Sequence, residues 1–190
     1  MSAAPESRDD FKRELDEEFD RRKAKALAMG GPEKLAKRAR PGLIDARARV
    51  DRLFDAGTFA ESGLFTTSIH SSEDAERSPS DGKITGYGRI GGRWAAVVSN
   101  DFTVFGASSS ATNMRKIAHM KRVATQRGLP IVFFGESSGA RMPDTMGGRG
   151  MGLGLGNDPT QYQRMRETPW AAAVLGMCYG SSFLYTCCSD

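Results

Sequence analysis

The sequence predicts an α/β layered fold, and three observations carry that prediction. Two apolar runs, ITGYGRI at 84–90 and RWAAVVS at 93–99, flank Gly91-Gly92 and read as a β-hairpin with a tight turn. A helical pattern then runs to Arg127, with Met114, Ile117, Ala118, Lys121 and Ala124 at helical spacing, and leads into a short buried strand, IVFF at 131–134. That strand and a second apolar run, PWAAAVLG at 169–176, each end in a turn of small residues, GESSGAR and MCYGSS.

The elements follow in chain order. Residues 1–8 read as a loose tail, and Ser7 three positions before Asp10 resembles a capping box. From Asp9 to Met29 the pattern is helical: Phe11, Leu15 and Phe19 share one stripe, which Leu27 extends. Most other positions there are charged, so this thin seam is expected to lean on another surface. Gly30-Gly31-Pro32 stops it. A second helix is expected from Asp45, which can cap it, to Phe54, with Val50, Leu53 and Phe54 as its apolar face. Asp55 to Thr58 reads as a turn, and the polar stretch 66–82, with Pro79 and Asp81-Gly82, as a surface loop.

Gly86 and Gly88 inside the first hairpin strand imply either a close backbone approach or a bulge. DFTVFGASSS at 101–110 reads as a strand end and loop, with Ser109 or Ser110 capping the long helix and Gly128 ending it. The glycine-rich stretch from Gly147 to Gly156 is expected to be a mobile loop, and FLYTCC at 183–188 has helical character. The chain reads as a charged helical arm, 1–30, followed by a domain, 31–190, that is expected to be truncated at 190.

Composition narrows the function. With 27 basic and 23 acidic residues the net charge is only +4, and no single-sign block appears, which argues against a nucleic-acid partner. No apolar run approaches the roughly 18 residues of a membrane span. The N-terminus lacks the apolar core of a signal peptide, and Cys178, Cys187 and Cys188 do not make a disulfide framework. A cytoplasmic setting is the expectation. There is no Cys/His cluster at metal-ligand spacing, no GxxxxGK[ST] loop and no GxSxG elbow.

What remains is backbone chemistry. Small residues after a buried strand let a carbonyl approach the main chain closely, and unpaired N–H groups at a following helix start favour negative charge. Two such groups aimed at a developing oxyanion supply roughly 3 kcal/mol or more. SSGA at 137–140 and GMCYGSS at 176–182 suit that role, although spacing alone favours an ordinary tight strand-to-helix connection at each.

Four motifs in order then match a known family. DARARVDRLFDAGTF at 45–59, GKITGYGRIGGRWAAVVSNDFTVFGAS at 82–108, ESSGARM at 136–142 and GMCYGSS at 176–182 resemble the carboxyltransferase (beta) subunit of biotin-dependent acyl-CoA carboxylases. The likeness covers its N-terminal part. It implies a crotonase fold of repeated ββα units, incomplete here, and transfer of a carboxyl group from carboxybiotin to the α-carbon of an acyl-CoA. It implies that Ser138, Gly139, Ala140, Tyr179 and Gly180 belong to the catalytic turns. Arg47, Lys116, Arg141 and Cys178 are implied to bind substrate, with Arg47 and Lys116 placed for CoA phosphates. Biotin would be carried by a partner, a biotin carboxylase or biotin carrier subunit. A homo-oligomer (dimer or trimer of dimers) is also implied, in the cytoplasm or the mitochondrial matrix. Departures from the family pattern are Ser138, Ser181, Ser182, Met177 and Tyr179, where the family has Gly, Gly, Ala, Pro and Ala.

Two other readings stay open. One is a biotin-dependent decarboxylase or another crotonase-like acyl-CoA enzyme, with Glu136 and Asp144 as side-chain acid or base. The other is a non-catalytic scaffold acting through the arm at 9–29.

Overall fold

The computed structural model describes residues 7–40, 42–145 and 168–190. Helix α1 spans Arg8–Leu27; Ser7 caps it, its side chain accepting from the Asp10 N–H. Its apolar seam is half exposed at Phe11, Leu15 and Phe19, and only Phe19 finds an aromatic neighbour, edge-on to Phe65. The arm therefore leans on the domain mainly at its C-terminal end, where Ala26 is buried.

Helix α2, Pro32–Ala39, was not expected from the sequence. Pro32 at its first position and Lys37 and Arg38 in its last turn suit a helix, but Leu35 alone gives it an apolar face. Helix α3, Ala46–Leu53, starts at Asp45 as expected, with the Asp45 carboxylate accepting from the Ala48 N–H. Strand β1 is short, Ala60–Glu61.

The stretch 66–82 departs from the surface loop expected of it. It contains helix α4, Ser72–Arg77, and a tight turn at Pro79–Gly82 in which Ser80 and Asp81 take left-handed backbone angles, and Ser78, Ser80 and Asp81 are buried. Their side chains find partners in neighbouring segments. The Ser78 hydroxyl accepts from the Ser68 N–H, and the Ser80 hydroxyl donates to the Leu64 carbonyl.

The hairpin forms as the alternation dictates: β2, Lys83–Ile90, pairs antiparallel with β3, Arg93–Asn100, in unbroken register. Gly86 and Gly88 therefore mark close approach and not a bulge. A Cβ on Gly86 would lie 2.3 Å from the Ala60 carbonyl oxygen, and one on Gly88 2.8 Å from the Phe54 ring. Helix α5, Ala111–Arg127, begins in a capping box of Ser110 and Asn113 and ends at left-handed Gly128. It carries the chain back so that β4, Ile131–Ser138, lies parallel to β3. After the short helix α6, Met142–Thr145, the expected glycine-rich loop lies outside the described residues. Strand β5, Trp170–Tyr179, is parallel to β4, and helix α7, Ser181–Cys187, follows it.

Among the described residues the sheet order is β1-β2-β3-β4-β5. Both its faces are covered, which is why β3 reads as a continuous apolar run. Ala96 and Val98 face α5 and α7 with Ile117, Met120, Phe133, Trp170 and Tyr185. Ala95 and Val97 face the other way, toward Val50, Phe54 and Met29. Burying each of these larger side chains contributes roughly 1.5–3 kcal/mol before entropy is charged against it. The core therefore fixes the strands whose C-terminal ends carry the candidate site.

Candidate active site

Strands β4 and β5 end together. Their register shifts between Gly135 and Ser137, and beyond the shift Ser137 pairs with Cys178 and Ser138 with Tyr179. Each strand then turns at a glycine with positive φ, Gly139 at 109° and Gly180 at 62°. The turns touch. A Cβ added to Gly180 would lie 3.5 Å from Gly139 Cα and 3.9 Å from the Ala140 nitrogen, and the positive φ itself disfavours any L side chain there. Ser138, Gly139, Ala140, Cys178, Tyr179 and Gly180 are thus gathered at one end of the sheet.

A third segment, the loop before α5, closes over them. The Ser109 N–H donates to the Gly139 carbonyl and the Arg141 N–H donates to the Ser109 carbonyl, both at 2.8 Å. Between these two bonds, the Ala140 N–H meets no acceptor among the described residues. The Gly139 N–H does have one, the Ser137 hydroxyl at 3.0 Å. Across the gap, α7 starts at Gly180 without a side-chain cap, which leaves its first N–H groups without intrahelical partners. Two facing backbone turns with unsatisfied donors can stabilise negative charge on a carbonyl oxygen without any side-chain acid.

The charged residues nearby serve mainly to hold this geometry. Glu136, buried just before the first turn, takes a bidentate pair from Arg38 of α2 (2.7 and 2.6 Å) and a third contact from Arg49 of α3 (2.9 Å). Burial lowers the Arg49 pKa, and the Glu136 carboxylate opposes that shift. The buried Asn100 side chain donates to the Glu136 carbonyl at 2.8 Å and to the Ser182 hydroxyl at 2.9 Å. Arg141 is buried against Asp81 and the Ser108 hydroxyl, with its guanidinium 4.8 Å from the Phe105 ring centroid. Burial pushes the Cys178 thiol up, so the thiol form is favoured.

These contacts correct several sequence expectations. Lys116 is not a surface cation. Its ammonium is buried and donates to the carbonyls of Gly63, Ser80 and Lys83, and desolvation brings its pKa down to about 8. Arg47 is paired bidentately with Glu61 at 2.7 and 3.2 Å. Arg141 is likewise committed to Asp81. A CoA phosphate would have to displace an existing partner from each. Glu136 is held by two guanidiniums and cannot act as a free acid or base. Asp144, whose carboxyl burial raises, lies 3.8 Å from the Arg141 Nε. The residues that sequence reasoning missed, Arg38, Asn100 and Ser109, act across long chain separations that no local pattern reveals.

Comparison with known proteins fits this geometry. The carboxyl transferase domain family matches residues 39–188, and the chain belongs to that family. The chain is 37% identical over 132 residues to the propionyl-CoA carboxylase beta chain of Cereibacter sphaeroides, covering 67% of this chain and 26% of that protein. It is 34% identical over 125 residues to the methylmalonyl-CoA decarboxylase subunit alpha of Veillonella parvula, covering 65% of this chain and 25% of that one. The transcarboxylase 12S structure, with methylmalonyl-coenzyme A and methylmalonic acid bound, superposes over 100% of this chain and 36% of its own, with a TM-score of 0.82 at 26% identity. The fold is therefore the crotonase-like α/β type with an N-terminal helix, as the motifs implied. The chain spans about a quarter of the length of the curated relatives it matches.

Proposed function

We propose that residues 31–190 form the acyl-CoA-binding part of a carboxyltransferase that moves a carboxyl group from carboxybiotin to the α-carbon of an acyl-CoA. The observation that carries this is the contact between the Gly139-Ala140 and Gly180 turns, with the Ala140 N–H unpaired beside it. The positive φ at Gly139 and Gly180 keeps side chains off both turns, which supports close approach of a flat thioester carbonyl to the main chain. Ala140 would donate to the thioester oxygen as it gains charge on enolisation. Ser138 and Tyr179 would line the approach, and Cys178 would back the second turn.

Carboxybiotin carried by a partner would supply the carboxyl group and the base for the α-proton, and the Gly139-Ala140 and Gly180 turns of this chain would hold the acyl-CoA beside it. The Ala140 N–H and the turn at Gly180 would hold the thioester carbonyl. The partner is a biotin carboxylase or biotin carrier subunit, the protein works as a homo-oligomer, and the setting is the cytoplasm or mitochondrial matrix. The likeness to a decarboxylase subunit supports a second reading in which the same enolate is formed from the opposite direction. Labelled bicarbonate incorporation into the carboxylated acyl-CoA product tests the proposal, using the protein at its natural length with its biotinylated partner, a biotin carboxylase and MgATP. Label in propionyl-CoA or another short or branched acyl-CoA is expected, and no incorporation into any of them would sink it.

A further inference from the structure

Three of the departures from the family motifs, Ser138, Ser181 and Ser182, place hydroxyls where the family has hydrogens or a methyl. In this fold each has a matched neighbour. The Ser181 hydroxyl hydrogen-bonds the Ser109 hydroxyl, and both residues are buried. The Ser182 hydroxyl accepts from Asn100, whose same amide group also donates to the Glu136 carbonyl. Ser138 lies over Gly106, where a Cβ would come within 2.6 Å of its hydroxyl oxygen.

Ser109 is the residue that touches both turns. Its main chain binds Gly139 and Arg141 on one side, and its side chain binds Ser181 on the other. It is itself fixed from both flanks. Ser110 caps α5 and hydrogen-bonds Asp81, while Ser108 accepts from Arg141. Asn100 makes the parallel link one layer deeper, from the strand before the first turn to the helix after the second.

We propose that Ser109 and Asn100 are positioning residues that set the spacing between the two turns, through hydroxyl contacts that the departures Ser181 and Ser182 make possible. The proposal rests on the acyl-CoA reading for its consequence, but the link itself has a readout without ligand. Ser109→Ala and Ser181→Gly each remove the same hydrogen bond from opposite ends, and Ser181→Gly restores the family residue. Hydrogen exchange measured by mass spectrometry on the natural-length protein should quicken over residues 139–141 in Ser181→Gly, although the substitution lies about forty positions away. Ser109→Ala should do the same, and the double variant should exceed neither, because both break one contact.

Propionyl-CoA affinity should fall by up to about tenfold in each variant, the effect of one hydrogen bond, while CoA without an acyl group binds as before. Unchanged exchange over 139–141 in Ser181→Gly would overturn the link. Quickened exchange with an unchanged preference for propionyl-CoA over CoA would overturn its role in spacing the acyl site. If the unsubstituted protein binds propionyl-CoA no better than CoA, the acyl-CoA reading falls while the exchange result still decides the link.

Discussion

Replacing Lys83 by Met should stabilise the protein near neutral pH and flatten its response to pH. Lys83 is fully buried in β2, and its ammonium has one hydrogen bond, to the Ala107 carbonyl at 2.8 Å. Burial brings its pKa from 10.5 down to about 7, with Asp81 opposing the shift. The unfolded chain takes up this proton below pH 10.5 and the folded chain only below about 7. Between those values the unfolded state binds more protons, so stability rises with pH, by up to about 1.4 kcal/mol per pH unit. The full window corresponds to a penalty on the order of 5 kcal/mol at pH 7, absent above 10.5. Lys116 adds to the slope with the same sign from about pH 8 upward.

Lys83→Met removes the penalty but leaves the Ala107 carbonyl unpaired, at a cost of roughly 1–3 kcal/mol. The net gain at pH 7 should be about 2–4 kcal/mol, shrinking to nothing or reversing by pH 10. Urea unfolding at pH 7, 8, 9 and 10 reads both quantities. A variant whose stability rises with pH as steeply as that of the unsubstituted protein would show that buried Lys83 is not the source of the slope.

Three further outcomes follow from the same packing. Glu136→Ala strands the guanidiniums of Arg38 and Arg49 without their carboxylate and should cost about 3–5 kcal/mol in urea unfolding. Gly30→Ala would put a Cβ 2.2 Å from the Thr103 carbonyl oxygen, so a loss of about 1–3 kcal/mol or more is expected in thermal or urea unfolding. Iodoacetamide at pH 8 should label exposed Cys187 well before Cys178 or Cys188, whose thiols burial pushes up; peptide mass spectrometry gives the order.

The parts of this fold legible in the sequence are those set by local periodicity. The 84–99 hairpin announces itself by alternation around Gly91-Gly92, and α5 by a capping serine and a closing glycine. The two turns were legible because close approach demands small residues, and Gly139 and Gly180 supply them. The buried polar layer was not legible. Composition reads Ser78, Ser80 and Asp81 as solvent-facing, whereas here they are buried because their side chains find partners in neighbouring segments. The partners of Arg47 and Lys116 were hidden for the same reason: a cation in a motif does not reveal the carboxylate or carbonyls that it meets across the fold. Helix α2 hides because its Arg38–Glu136 ion pair spans 98 positions and its packing rests on Leu35.

On the proposed function, the Gly139-Ala140 and Gly180 turns polarise a thioester carbonyl. Propionyl-CoA labelled with carbon-13 at that carbonyl tests it directly, bound to the natural-length protein and observed by NMR. The carbonyl resonance should move downfield on binding, and Gly180→Val, which fills the cleft beside Ala140, should abolish the shift. A bound carbonyl that resonates where it does in water, or a shift that survives Gly180→Val, would contradict the claim.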